Sequence, residues 1–80
     1  MTKAKQKEKA LDKIMARTRN MKNALDLQCL EEYDASICAM IRLSWQLEII
    51  TKEERDALEV AEMEAYFARK NELRKEAPAA

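Results

Sequence analysis

The chain has 80 residues, two cysteines, no histidine and no glycine, and 15 basic and 15 acidic side chains that give zero formal net charge. Without histidine there is no imidazole base for a Ser-His or Cys-His nucleophile, and without glycine there is no phosphate-cradling loop. Neither cysteine has a second ligand at metal-binding spacing. We therefore expect no enzymatic activity, no metal and no cofactor.

Strong helix formers dominate the composition, and the single proline is Pro78. Strands need tight turns rich in Gly, Pro, Asn and Asp, so we predict an all-α fold. The predicted architecture is one small domain of two or three helices. A basic amphipathic helix or arm in residues 1–22 precedes an antiparallel helical hairpin in residues 24–75, and residues 76–80 form a frayed tail.

The first predicted helix is strongly basic, with eight basic and two acidic side chains in residues 1–22. At 100° per residue its apolar side chains share one face, and a basic ridge lies opposite. The ridge consists of Lys5, Lys9, Lys13 and Arg17. It is a candidate site for nucleic acid or an acidic partner, or else the solvated face of an ordinary core helix.

The boundary before the second helix is ambiguous. Asn20 or Asn23 could cap a new helix, since asparagine is unfavourable inside one. However, an apolar stripe keeps helical phase from Leu11 to Leu47, which is compatible with one long helix over residues 5–50. We favour a break near residues 20–23.

The second helix is apolar on almost all sides over residues 37–50, which predicts a buried helix. Trp45 is interpreted as a packing anchor, with a partner-binding hot spot as the alternative. Cys29 and Cys38 lie on opposite helix faces, too far apart for a disulfide within one helix. We interpret both as small buried apolar residues.

The third helix is predicted to start after Thr51, where Thr51-Lys52-Glu53-Glu54 forms a capping box, and to span residues 52–75. It carries two apolar stripes. The first consists of Leu58, Ala61, Ala65 and Ala68, and the second of Val60, Met63 and Phe67. Only one stripe is needed for a hairpin. The surplus predicts a homodimer or a partner surface, unless both stripes pack inside a three-helix monomer.

Two short segments resemble known helical proteins. Residues 47–54 are similar to the turn of helical hairpins in short bacterial oligomerisation modules. The opening Met1-Thr2-Lys3, with a helical hairpin, resembles small plasmid-encoded RNA-binding hairpins that act as dimers. These likenesses imply a fold and no function. Small charged helical proteins of this type often come from phages or plasmids.

Two functions follow from these patterns. The first is a non-enzymatic protein–protein interaction module, acting as a regulator, inhibitor or assembly factor through Val60, Met63, Phe67 and Trp45. The alternative is sequence-tolerant binding of RNA or DNA through the basic ridge. No apolar run is long enough for a membrane span or of signal type, so we expect a cytoplasmic protein that does not enter membranes.

Overall fold

The computed structural model describes residues 2–76, within which three α-helices follow one another. They are α1 (Lys3–Asn20), α2 (Leu27–Gln46) and α3 (Lys52–Glu76), and a 3₁₀ turn, Met21–Asn23, follows α1. The predicted all-α fold, a helical hairpin preceded by a further helix, is confirmed. Glu76 belongs to α3, and the rest of the predicted frayed tail lies outside the described residues.

The three helices form an up-down-up bundle measuring 52 × 20 × 15 Å. The start of α1 lies beside the start of α3, where Lys7 Nζ is 3.1 Å from Glu54 Oε1. At the other end, Arg69 of α3 contacts Ala24 in the α1–α2 connection. Thus α1 and α3 run parallel, α2 runs antiparallel to both, and α1 packs against both members of the hairpin.

The connection between α1 and α2 confirms the predicted break and excludes one helix over residues 5–50. After the 3₁₀ turn, Ala24 and Asp26 adopt extended backbone conformations. Asn20 and Asn23 are the predicted candidates for the N-cap of α2, but the N-cap is Asp26. Its carboxylate accepts a hydrogen bond from the Cys29 N–H at 2.8 Å. A short acidic side chain in extended backbone suits an N-cap position, which explains the later start.

The connection between α2 and α3 begins earlier than predicted, because α2 ends at Gln46 and residues 47–50 lie outside it. Glu48 adopts a left-handed conformation with φ of 58°. The Leu47 and Ile49 N–H groups then donate to the Leu43 and Ser44 carbonyls, both at 2.9 Å. These bonds satisfy carbonyl groups that the end of a helix otherwise leaves free.

The capping box at the start of α3 is confirmed. The Glu54 N–H donates to Thr51 Oγ1 at 3.1 Å, and the Thr51 N–H donates to Glu54 Oε1 at 2.8 Å. The bond from the Thr51 N–H, together with Lys7, lowers the pKa of the Glu54 carboxyl below its ordinary value. The capping box therefore determines that α3 begins directly after Thr51.

The core lies along the axis where the three helices meet. Its buried side chains come from every element, and the fully buried large ones are Ile14, Met21, Leu30, Ile37 and Ile41. On α3, Leu58 and Leu73 are buried near opposite ends of the helix. No helix within residues 2–76 is long and apolar enough to cross a membrane.

Within this chain α2 is buried on one side only, and burial of its other side by a second subunit stays a prediction. Ile37 and Ile41 are buried, whereas Leu43 and Trp45 are exposed. Trp45 is therefore not an anchor of the core. The prediction that both cysteines are buried is also wrong, since Cys38 is exposed and Cys29 is only half-buried. All of these residues lie on α2, which α1 and α3 cover on one side only.

The two apolar stripes of α3 divide differently from the prediction. Leu58 and Ala65 of the first stripe face the core, but Ala61 and Ala68 are exposed. All three residues of the second stripe, Val60, Met63 and Phe67, are exposed. The second stripe is therefore not used inside this three-helix bundle.

Two charged residues, Glu62 and Arg69, occupy the inward side of α3 between Leu58 and Leu73. Arg69 donates from Nε and Nη2 to the Ala24 carbonyl at 2.9 and 2.7 Å, and only 13% of its side chain is exposed. Its Nη1 pairs with Glu72 at 3.2 Å. Because this forked contact satisfies a backbone carbonyl of the α1–α2 connection, Arg69 ties that connection to α3.

Arg69→Lys should destabilise the fold by about 1–2 kcal/mol, because an ammonium cannot reproduce the forked contact with the Ala24 carbonyl. Urea unfolding followed by circular dichroism measures the loss as a lower midpoint with an unchanged slope. The matched control is Arg74→Lys at an exposed position of the same helix, which should change stability by less than about 0.5 kcal/mol. Equal midpoints for the two variants would contradict this role of Arg69.

Candidate protein-binding groove between α2 and α3

A groove with a cavity of about 600 Å³ opens between α2 and α3 on one side of the hairpin. Residues spaced three or four apart line it, because they share one face of each helix. From α2 come Asp34, Cys38, Ile41, Arg42, Trp45 and Gln46, and from α3 come Arg55, Glu59, Glu62, Met63, Tyr66 and Phe67. Its volume lies within the range of pockets that hold small ligands.

The rim of the groove is apolar. Trp45 is 41% exposed, Met63 57% and Phe67 50%. The Tyr66 and Phe67 rings meet edge to face, with centroids 5.2 Å apart. Three of the four residues predicted as a partner-binding set are thus brought together. The fourth, Val60, is 55% exposed on the same helix but does not line the groove.

Arg55 and Trp45 form a stacked pair at one end of the groove. The guanidinium carbon of Arg55 lies 4.2 Å from the centroid of the Trp45 ring. Arg55 also bonds to Asp56 at 3.1 Å and Glu59 at 3.4 Å. This cation–π contact holds the indole in place while leaving much of its surface exposed.

The floor of the groove is acidic. Glu62 is only 5% exposed, and its carboxylate lies near Asp34 and Cys38 of α2. The ligand atoms of the three side chains all lie within 4.8 Å of one another. Burial, followed by the hydrogen bond and charge of Asp34, raises the pKa of Glu62 to about 8. At neutral pH the Glu62 carboxyl is therefore mostly protonated.

The Cys38 thiol donates to Asp34 Oδ1 at 3.6 Å. Partial desolvation, followed by the nearby charges of Glu62 and Asp34, raises the pKa of the Cys38 thiol to about 11. At neutral pH the sulfur is therefore a thiol, which is a poor nucleophile. The three side chains supply one sulfur and two oxygens, fewer than the four protein ligands of a structural zinc site.

On the outer edge of the groove, the Tyr66 hydroxyl donates a hydrogen bond to the Glu31 carboxylate. This bond is the main reason that the pKa of Tyr66 rises to about 12. Lys70 Nζ lies 5.4 Å from the centroid of the Tyr66 ring. Tyr66 thus joins α3 to the first half of α2, and its ring packs against Phe67.

The basic ridge predicted on α1 is exposed along its whole length. Arg17 Nη1 donates to Ser36 Oγ at 3.0 Å, which directs this guanidinium toward α2. Among residues 2–76, Lys5, Lys9 and Lys13 form no ion pair. The ridge lies on a different helix from the groove, so the two candidate surfaces are separate.

Sequence reasoning missed the acidic floor. Asp34 and Cys38 are one helical turn apart, as are Glu59 and Met63, so each helix face could be read from spacing alone. The pairing of those two faces depends on how α2 and α3 align, which the hairpin turn sets. Glu62 also lies between Glu59 and Glu64 in the sequence, so nothing distinguishes it from the two exposed acids beside it.

No protein-family model matches the chain, and comparisons with curated proteins and with solved structures found no match.

Glu62→Gln should stabilise the protein increasingly as pH rises. Because the Glu62 pKa is raised in the folded state, the folded chain binds more protons than the unfolded chain between about pH 4.5 and pH 8. The wild-type protein therefore loses stability as pH rises through this window, and glutamine, which does not titrate, avoids the loss. We expect near equality at pH 4.5 and a gain of more than about 1 kcal/mol at pH 8.

Urea unfolding at intervals of pH measures this difference. The control is Glu64→Gln at an exposed position of α3, whose difference from the wild-type protein should not vary with pH. A constant difference for Glu62→Gln across the window would show that Glu62 titrates normally.

Proposed function

We propose that this chain is a non-enzymatic protein-interaction module that binds a partner protein in the groove between α2 and α3. The observation that carries the proposal is the set of three large apolar side chains on the groove rim, Trp45, Met63 and Phe67, each about half exposed. A regulator, an inhibitor or an assembly factor would act in this way, by occupying a partner surface.

The composition of the rim supports this proposal. Aromatic residues and methionine are enriched at the centres of protein interfaces, where charged residues are depleted. Methionine also adapts its shape to a partner. A groove between two helices is the usual site for an amphipathic helix, which inserts apolar side chains three and four residues apart. The stack of Arg55 on Trp45 preorganises one end of such a site.

The homodimer expected from the sequence stays a prediction. Leu43 near the end of α2 and Leu47 directly after it are exposed, in addition to the groove residues. A second copy of the chain is one protein that such surfaces could bind.

Nucleic-acid binding through α1 is the second candidate, favoured by the exposure of the three lysines of the ridge, none of which forms an ion pair among residues 2–76. A cationic ridge of this kind binds phosphates without reading base sequence. Counting against it, Arg17 bonds to Ser36, Lys7 is paired with Glu54, and the remainder of the chain is acidic.

The groove is tested by replacing its exposed rim. Met63→Ser combined with Phe67→Ser should leave the fold intact, because both side chains are half exposed, and should weaken partner binding more than about tenfold. Val60→Ser is the matched control, since Val60 is an equally exposed apolar residue of α3 outside the groove. Each purified protein is immobilised, exposed to extract of its own host cells, and the retained proteins are quantified by mass spectrometry.

The expected outcome is a set of proteins retained by the wild-type chain and by Val60→Ser but lost from the double variant. If all three chains retain the same proteins in equal amounts, the groove is not the binding surface. Circular dichroism of each variant establishes that the helices are unchanged.

The nucleic-acid candidate is tested by titrating a labelled DNA duplex and a labelled RNA at low salt. If α1 binds phosphates, the dissociation constant should fall below about 10 μM, and affinity should decrease with salt by a slope of about −0.9 per phosphate contacted on the duplex. Lys9→Gln with Lys13→Gln should weaken binding, whereas the charge-matched pair Lys52→Gln and Lys75→Gln should weaken it less. Equal losses for the two pairs would point to net charge alone and reject the ridge as a site.

A further inference from the structure

The groove combines an apolar rim with a floor whose negative charge is not balanced by the chain itself. Glu62 is 95% buried on the inward side of α3, and its nearest polar neighbours are the Asp34 carboxyl group and the neutral Cys38 thiol. Among residues 2–76, neither Asp34 nor Glu62 forms an ion pair with a basic side chain. Buried carboxylates are normally paired with a cation or with several donors.

Two basic side chains, Arg42 and Arg55, line the groove, but neither forms an ion pair with Asp34 or Glu62. Arg55 stacks on Trp45 and bonds to Asp56 and Glu59 at the end of the groove. Arg42 is exposed one turn beyond Cys38 on α2. In addition, α1 contributes no residue to the lining. Within residues 2–76, the floor is therefore neutralised only by the proton that Glu62 retains, and no basic side chain pairs with either carboxyl group.

We propose that the partner is an amphipathic helix that inserts a lysine between Asp34 and Glu62 while its apolar side chains cover Trp45, Met63 and Phe67. This inference rests on the protein-binding function proposed above and names the chemistry of the partner. Charge complementarity carries it, because an acidic floor beneath an apolar rim matches a side chain with an apolar stem and a cationic tip.

The compactness of the floor selects lysine over arginine. The ligand atoms of Asp34, Cys38 and Glu62 lie within 4.8 Å of one another. An ammonium is a compact charge with three donors, which suits two carboxylates on opposite sides of one point. A guanidinium is a planar fork that fits a single carboxylate side by side. The butyl stem of lysine would lie against Met63 and Phe67.

Lysine binding displaces the proton held by Glu62. The groups that face Glu62 are Asp34 and Cys38 from α2, while Glu59 and Tyr66 lie on either side of it along α3. An ammonium between the carboxylates favours their ionised forms, so the proton held by Glu62 is released on binding. Affinity should consequently increase from pH 6.5 to pH 8, by up to about tenfold per pH unit.

The test uses two libraries of displayed amphipathic helical peptides, selected on the immobilised full chain at pH 8. Both libraries vary the apolar positions of one helix face. One carries lysine at a fixed central position of that face, and the other carries methionine, which has a similar length and no charge. We expect recovery of the lysine library to exceed that of the methionine library at least about tenfold.

Single-residue variants show which side chains of the groove give the lysine library its advantage. The advantage of lysine should be lost on Asp34→Asn and on Glu62→Gln, and it should remain on the control Glu64→Gln. Calorimetry of one selected lysine peptide should show proton release at pH 7 and tighter binding at pH 8 than at pH 6.5. Because Glu62→Gln is expected to be stable, loss of binding by this variant cannot be attributed to unfolding.

The remaining outcomes separate the two proposals. Equal recovery of both libraries, with loss on the Met63→Ser, Phe67→Ser variant, would overturn the lysine and leave protein binding at the groove intact. Recovery of neither library would overturn both. If light scattering of the chain alone gives twice its 9.3 kDa mass and this variant is monomeric, a second copy covers the groove and the partner helix is rejected.

Discussion

Burial of charge on the inward side of α3 is the constraint on which the other features of this bundle depend. In a small three-helix protein, that side of a helix is normally apolar throughout. Here Leu58 and Leu73 keep the pattern near the two ends, whereas Glu62 and Arg69 interrupt it between them. Each buried ionisable group needs hydrogen-bond partners or a counter-charge, and Glu62 and Arg69 differ in how this need is met.

Arg69 is satisfied within the chain, by the Ala24 carbonyl and by acidic residues of its own helix. The result is structural, since the contact joins α3 to the α1–α2 connection. Glu62 faces the Asp34 carboxyl group and the Cys38 thiol of α2, and burial raises its pKa to about 8, so that Glu62 keeps its proton at neutral pH. A buried acid without a counter-charge costs stability, and such costs are typical of positions that serve binding.

The parts of the fold that were predictable from sequence are those set by local interactions. The Thr51–Glu54 capping box and the helical composition depend on residues within one turn of each other, and both were recognised correctly. The end of α2 was missed because Glu48 adopts a left-handed conformation normally favoured by glycine. Without glycine in the chain, nothing in the sequence marked that position as the end of a helix.

The candidate site was predictable in part for the same reason. Helical spacing singled out Met63 and Phe67 as a surplus apolar stripe, and they do line the groove. The alignment of α2 against α3 brings Met63 and Phe67 close to Trp45. The same alignment places Asp34 in the acidic floor. That alignment follows from packing of the whole bundle, so no spacing rule within one helix reveals it.

The stack of Arg55 on Trp45 has a further, practical consequence. Trp45 is the single tryptophan of the chain, and it stands at the mouth of the groove with 41% of its surface exposed. All indole emission from the protein therefore originates at this one place, between a guanidinium and open solvent. The wavelength and quenching of Trp45 fluorescence therefore depend on whether water or another molecule fills the space beside the indole.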